Sequence, residues 1–207
     1  MLSPCPVGPV TDDGQVKALT VGVDMDEPVF PYMSVLRARL VAEGGPARRY
    51  RRLPEHYDFG CCWRIPDGDL SGLMARLVDS GGLLAARPVP GARVGLAALR
   101  AAGHRVLLVT ARGSQGEPDP ERMLTESRAF LEREGLPCDG LVSTTDKARL
   151  GLDVMLDDLV PTVRAVSDTG ALGVVWDRPW NRGLESAGLV RVRGWREFTR
   201  MIPRTIT

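Results

Sequence analysis

The run Arg105-Val-Leu-Leu-Val-Thr110 constrains the fold more than any other stretch of the chain. Its unbroken aliphatic interior leaves no polar face, which suits a strand covered on both sides in a parallel sheet rather than a half-solvated antiparallel one. Parallel neighbours need crossover helices, and the flanking text supplies them. Pro90-Gly91 opens an amphipathic segment through Leu96 and Leu99 to Gly103. Asp119-Pro120 offers a cap and a first-turn proline for a helix through Met123, Phe130 and Leu131, closed by Gly135. Further short apolar runs follow at Leu141-Val142, Asp153 to Asp157, Ala171 to Trp176 and Leu189 to Val192, with helical patterns at Val160 to Ser167 and Trp195 to Met201. This alternation predicts an α/β fold, a three-layer Rossmann-like parallel sheet.

The apolar run ending at Val21-Gly22-Val23-Asp24-Met25-Asp26-Glu27-Pro28 reads as the first strand. Side chains alternate along a strand, so Asp24 and Asp26 point the same way and crowd two negative charges into one volume. Alone, the stretch reads as an acidic turn after an edge strand. Its company changes that reading. The later strands deliver Thr110, then Lys147 nearby, then Asp157 and Asp158, and ligands of open α/β sheets sit at the carboxyl ends of the strands. Four carboxylates converging with one hydroxyl and one ammonium call for a hard divalent ion, and an all-oxygen donor set selects Mg²⁺. Asp24 could then attack a phosphorus, Asp26 serve the leaving oxygen as acid, and Thr110 and Lys147 hold the phosphoryl oxygens.

What the chain lacks narrows the chemistry. His56 and His104 are its only histidines, too few for sites built on several. His104, just ahead of the buried strand, reads as a turn or strand-edge residue. Cys5, Cys61, Cys62 and Cys138 form no C-x-x-C pair and read as reduced thiols of a cytoplasmic protein. A net charge of +1 argues against a nucleic-acid polymer as partner, and no run is apolar enough to span a membrane. Residues 1–18 read as a loose N-terminal tail with no apolar leader core.

Between the first strand and Pro90, Met33 to Glu43 carries Leu36 and Leu40 on one helical face, and Gly44-Gly45-Pro46 stops it. Arg48-Arg49-Tyr50-Arg51-Arg52 reads as a solvated basic face or as a collar for an anionic substrate. Tyr57, Phe59 and Trp63 lie in irregular text and could pack a small subdomain or line a pocket. A second amphipathic helix begins at Asp69 and runs through Leu70, Leu73, Met74, Leu77 and Val78 to Gly81-Gly82.

The order of D-x-D after the first strand, a strand-end Thr, a Lys and an apolar strand ending in Asp-Asp resembles the haloacid dehalogenase (HAD) superfamily of phosphohydrolases. By that resemblance Asp24 is the nucleophile that forms an aspartyl-phosphate, and Asp26 protonates the leaving group and then activates water. Thr110 and Lys147 bind phosphate, while Asp157 and Asp158 complete the Mg²⁺ site with Asp24 and the Asp26 main-chain carbonyl. Gly-His-Arg-Val-Leu-Leu-Val-Thr-Ala-Arg and Asp177-Arg178-Pro179-Trp180-Asn181-Arg182 resemble the deoxyribonucleotidase (5′-nucleotidase) branch more closely. That branch implies residues 19–27 and 90–207 as the core and 28–89 as an inserted helical cap whose aromatics meet the base, with Tyr32 and Trp63 as candidates.

Arg112 could extend toward substrate or form a surface salt bridge. Glu27-Pro28 departs from the branch, which usually places Gly and a small or branched residue there. The resemblance implies a phosphatase acting on a small phosphomonoester, a nucleoside monophosphate first and a sugar phosphate or phosphorylated secondary metabolite as the alternative. A homodimer is compatible with the sequence. A dehalogenase has no need of the acid at Asp26, and a receiver domain orders its acids differently. A non-catalytic module of the same fold is the remaining reading, against which the intact acid pair argues.

Overall fold

The computed structural model describes residues 17–45, 50, 53–65, 72–73, 76–114, 119–183 and 188–202. Its frame is a six-stranded sheet in the order β3-β2-β1-β4-β5-β6, comprising β1 (Thr20–Asp24), β2 (Arg105–Thr110), β3 (Gly140–Ser143), β4 (Val154–Asp157), β5 (Leu172–Trp176) and β6 (Val190–Val192). Every neighbouring pair runs parallel. Residues of β2 divide strictly between the two faces, as the unbroken aliphatic run requires. Val106 and Leu108 join the main core, while Leu107 and Val109 pack with Leu152, Met155 and Val166 on the opposite side.

Helices Ala92–Ala101, Pro120–Arg133 and Trp195–Met201 cover the first face, and Val160–Ser167 covers the second, which completes three layers. The helix Ala92–Ala101 buries Ala92, Gly95, Leu96 and Leu99, a stripe at helical spacing. Gly95 is required there, because a Cβ would lie 2.1 Å from Cε3 of Trp195. Asp119 caps the helix Pro120–Arg133 by accepting from the Arg122 amide at 3.0 Å, with Pro120 in its first turn. His104 is buried, and its Nδ1 accepts from the Leu19 amide at 3.3 Å, the strand-edge role its position predicts.

The segment between β1 and Ala92 builds a second, smaller core. Met33, Leu36 and Leu40 on the helix Tyr32–Ala42 pack with Tyr50, Trp63, Leu73 and Trp180. The text from His56 to Trp63, irregular by sequence, contains a helix at Phe59–Trp63 that Asp58 caps through the Cys61 amide at 2.9 Å. Five residues are too few for a hydrophobic period to declare itself. The helix expected from Asp69 lies partly outside the described residues. Residues 72–73 and 76–79 are helical, with Leu73 in the small core and Leu77 and Val78 in the main one. The arginines at 48, 49, 51 and 52 and residues 1–16 of the N-terminal segment also lie outside the described residues.

Candidate active site

The sheet order places β1 between β2 and β4, so the strand ends carrying Asp24, Thr110 and Asp157 are neighbours. The chain leaves β3 at one edge and must cross the strand ends to reach β4. On the way a 3-10 turn, Lys147–Leu150, aims its lysine inward. Lys147 Nζ lies 2.5 Å from Asp24 Oδ1 and 2.8 Å from Asp157 Oδ2. Asp24, Asp157 and Asp158 are all buried, and each offers a carboxylate oxygen within 4.8 Å of the others. Three acids against one lysine leave an excess of negative charge in a place with little water to screen it.

The titration behaviour follows from that crowding. Burial, and then the charges of Asp157, Asp26 and Asp158, push the Asp24 carboxyl well above the usual range against the pull of Lys147. Burial and Asp157 do the same to Asp158. Burial opposes the Lys147 ammonium, but Asp24 and Asp157 outweigh it and hold its pKa above the ordinary lysine value. Neighbouring groups hold the acids in place: Leu159 N donates to Asp157 Oδ1 at 2.8 Å, and Trp180 Nε1 donates to Asp158 Oδ2 at 2.8 Å. The donor set is all oxygen, clustered and short of positive charge, which fits a Mg²⁺ ion.

A cavity of about 430 Å³ opens over these acids. Its floor includes Asp24, Asp26, Lys147, Asp157 and Asp158, and its roof includes Tyr32, Pro54, His56, Tyr57 and Phe59 from the segment after β1. Five of the six polar residues expected to converge therefore reach one cavity. Thr110 does not reach its wall: it is fully buried, and its Oγ1 accepts from the Arg112 amide at 3.1 Å.

Arg112 is not a surface salt bridge; it lines the same cavity. It is 5% exposed, and its guanidinium grips both oxygens of Asp26, Nε to Oδ2 at 3.1 Å and Nη2 to Oδ1 at 2.5 Å. Trp63 also departs from expectation. It is 2% exposed, set edge-on to Tyr50 at 5.7 Å and Phe59 at 6.0 Å, and it belongs to the small core and not to the cavity wall. Tyr32 does line the cavity.

The residues that sequence reasoning missed sit beside the departure at Glu27. This acid is buried, accepts from the Met33 amide at 2.8 Å, and pairs with Arg178 Nε at 2.7 Å. Arg178 Nη2 also donates to the Glu27 carbonyl at 2.8 Å, and Asn181 Nδ2 donates to the carbonyls of Asp158 and Trp176 at 2.7 and 2.8 Å. The signal was the Asp177 to Arg182 motif itself, whose arginine, tryptophan and asparagine brace Glu27 and Asp158, the acids just beyond β1 and β4.

The fold and the clustered strand-end acids define a HAD-type hydrolase. The family described as "5' nucleotidase, deoxy (Pyrimidine), cytosolic type C protein" matches residues 63–206, and the chain belongs to it. The match begins at Trp63, so β1 and its acid pair lie ahead of it. No curated protein matches the chain.

Among solved structures, a dehalogenase crystal structure superposes with a TM-score of 0.59 at 16% identity, over 91% of this chain and 99% of that one. The magnesium-bound HAD-hydrolase YfnB from Bacillus subtilis gives 0.58 at 12% identity, over 90% and 99%. The L-2-haloacid dehalogenase from Xanthobacter autotrophicus gives 0.54 at 15% identity, over 89% and 98%. At such identities the likeness is one of fold. Among the described residues, no helix is long and apolar enough to cross a membrane.

Proposed function

We propose that the chain is a Mg²⁺-dependent 5′-nucleotidase that hydrolyses nucleoside monophosphates through an aspartyl-phosphate on Asp24. The observation that carries this reading is the Lys147 ammonium bridging Asp24 and Asp157 beneath an open cavity, with Asp158 completing the acid cluster. Lys147 fixes one oxygen of Asp24 and thereby orients the carboxylate toward the cavity. Attack forms a bond from an Asp24 oxygen to phosphorus as the ester P–O bond breaks. The departing oxygen keeps that electron pair and takes a proton from Asp26. A water then gives a proton back to Asp26 and adds to phosphorus, the Asp24–phosphorus bond breaks, and inorganic phosphate leaves.

Asp24, Asp157 and Asp158 would hold Mg²⁺, which when bound supplies positive charge to the acids and to the phosphoryl oxygens. Lys147 contributes a second cation to those oxygens. Thr110 acts from behind the wall through its bond to the Arg112 amide. Residues 28–89 act as a cap over the 19–27 and 90–207 core: Tyr32, Tyr57 and Phe59 supply flat apolar faces above the acids, which suit a nucleobase better than a sugar. The cap would also limit water at the phosphoenzyme. The free thiols of Cys61, Cys62 and Cys138 accord with a reducing cytoplasm.

Release of phosphate from a panel of nucleoside monophosphates and sugar phosphates, with Mg²⁺ and with EDTA, tests the whole reading. The expected result is Mg²⁺-dependent turnover with nucleotides preferred, and none in Asp24→Asn. Equal rates in EDTA, or a fully active Asp24→Asn, would overturn the mechanism. A flat panel would overturn the nucleotide assignment alone.

A further inference from the structure

Arg112 makes a buried, two-point contact in the site that the proposed chemistry leaves unused. Its guanidinium takes both oxygens of Asp26 in a planar fork, the geometry in which an arginine fixes the orientation of a carboxylate and not merely its charge. The fork itself is held. Nη1 donates to Ser127 Oγ at 3.3 Å, and that hydroxyl in turn donates a hydrogen bond to the Met123 carbonyl at 2.8 Å. The Phe30 ring lies 4.4 Å from the guanidinium carbon, and the Tyr32 ring 5.7 Å from it. The backbone is pinned as well, by Thr110 Oγ1 on the amide and by Ser143 Oγ on the carbonyl at 2.7 Å.

Exposure separates the partners. The Arg112 side chain is 4% exposed and that of Asp26 26% exposed; both line the cavity, with the carboxylate the more open of the two and the guanidinium nitrogens already taken by Asp26 and Ser127.

We propose that Arg112 is a positioning residue for Asp26, aiming its carboxyl group at the leaving oxygen, and is not a phosphate ligand. This rests on the reading of Asp26 as the group that protonates that oxygen. When the ester P–O bond breaks, the oxygen keeps the electron pair and needs a proton in proportion to its basicity. An alkoxide leaving group depends on a well-aimed acid, whereas an acidic phenol departs without one. Removing the fork lets Asp26 rotate, and the loss falls on alkyl phosphates. A phosphate ligand, by contrast, would be missed equally by every phosphomonoester.

The test compares kcat/KM, which reports steps through leaving-group departure, for an alkyl phosphate and for p-nitrophenyl phosphate in wild type, Asp26→Asn, Arg112→Ala and Arg112→Lys. Inhibition by inorganic phosphate is measured alongside. Arg112→Lys keeps the charge and most of the buried volume, so it reports even if Arg112→Ala fails to fold.

Asp26→Asn is expected to lose about a hundredfold or more on the alkyl ester and far less on the aryl ester. Arg112→Lys should reproduce that bias at about tenfold or more, because one ammonium cannot hold both oxygens in plane, while phosphate inhibition stays within about threefold. Equal losses on both esters with weakened phosphate inhibition would overturn the proposal and make Arg112 a phosphate ligand. Full activity in Arg112→Lys would overturn it too, by showing that charge alone suffices. If Asp26→Asn shows no bias, the failure lies with the reading of Asp26 and takes this proposal with it.

Discussion

Glu27 and Arg178 stand 151 residues apart in sequence and 2.7 Å apart in the structure, and their pairing helps to hold a strained backbone in place. Glu27 adopts φ 72°, a left-handed conformation that favours glycine and costs other residues roughly 1–2 kcal/mol. Four bonds hold it there: its amide to the Phe30 carbonyl, its carbonyl to Arg178, and its two carboxylate oxygens to Met33 and Arg178. At a φ that favours glycine, this chain instead places an acid that anchors the turn. Glu27→Ala retains the strain and leaves the half-buried Arg178 guanidinium without its carboxylate, so a loss of about 3 kcal/mol is expected. Glu27→Gly loses the anchor but relieves the backbone and should lie about 1 kcal/mol above Glu27→Ala. Thermal or urea denaturation of the three proteins checks the order, and a glycine variant less stable than the alanine one would contradict it.

The acid cluster trades stability for chemistry. Burial and mutual repulsion push Asp24 and Asp158 upward in pKa, which means that their charged forms are disfavoured in the fold. Asp24→Asn removes one negative charge at nearly constant volume while Lys147 keeps Asp157 as a partner. In metal-free buffer this variant is expected to melt higher than wild type, by about 1–2 kcal/mol, while losing activity. Added Mg²⁺ should raise the melting temperature of the wild type by mass action, about 2.7 kcal/mol at a hundred times its Kd, and raise that of Asp158→Asn far less. Scanning calorimetry with and without Mg²⁺ measures both. A wild type indifferent to Mg²⁺ would remove the metal site from this cluster.

Trp180 tests whether the motif from Asp177 to Arg182 serves the site. Its indole N–H holds Asp158 Oδ2 at 2.8 Å, and its ring packs in the small core and lines the cavity. Trp180→Phe keeps most of the ring and removes the donor. Groups that orient a metal-binding acid in this way are worth about 10–100-fold in metal affinity or activity. The expected phenotype is a rise of about tenfold or more in the Mg²⁺ concentration needed for half-maximal activity, with a melting temperature close to wild type at saturating Mg²⁺. A fall in stability with unchanged Mg²⁺ dependence would assign Trp180 to packing alone.

The strands and most of the site were readable from local text because the physics there is local. A run such as Arg105–Thr110 has nowhere to hide a polar face, and acids at the ends of parallel strands must meet if the strands are adjacent. What the text hid were pairings set by loop geometry. Arg112 meets Asp26 only because the turn after β2 folds back over β1, a direction that no periodicity encodes. Trp63 looked as suitable for a pocket as Tyr32 did, since an aromatic residue in irregular text carries no sign of which face it will take. Thr110 ended its strand as expected, yet its hydroxyl turned inward to the backbone of the next loop.

The segment after β1 carries a charge cluster whose effect on stability should vary with pH in a defined direction. Glu43 follows the helix Tyr32–Ala42 and binds Arg39 Nε at 2.7 Å and, across 33 residues, Arg76 Nε and Nη2 at 3.0 and 2.9 Å. The Arg76 and Arg39 hydrogen bonds hold its carboxyl down to about 2 from an ordinary value of 4.5. Because the folded value is the lower one, the bonds stabilise fully above about pH 4.5, and that contribution fades as pH falls toward 2. Glu43→Gln is therefore expected to melt below wild type at pH 7, with the gap narrowing through the window between those values and closing at its acid end. The cluster is solvent-facing, so high salt should shrink the gap at pH 7 as well. Melting curves of both proteins across pH and salt provide the check, and a gap independent of pH would show that Glu43 acts through packing and not through its charge.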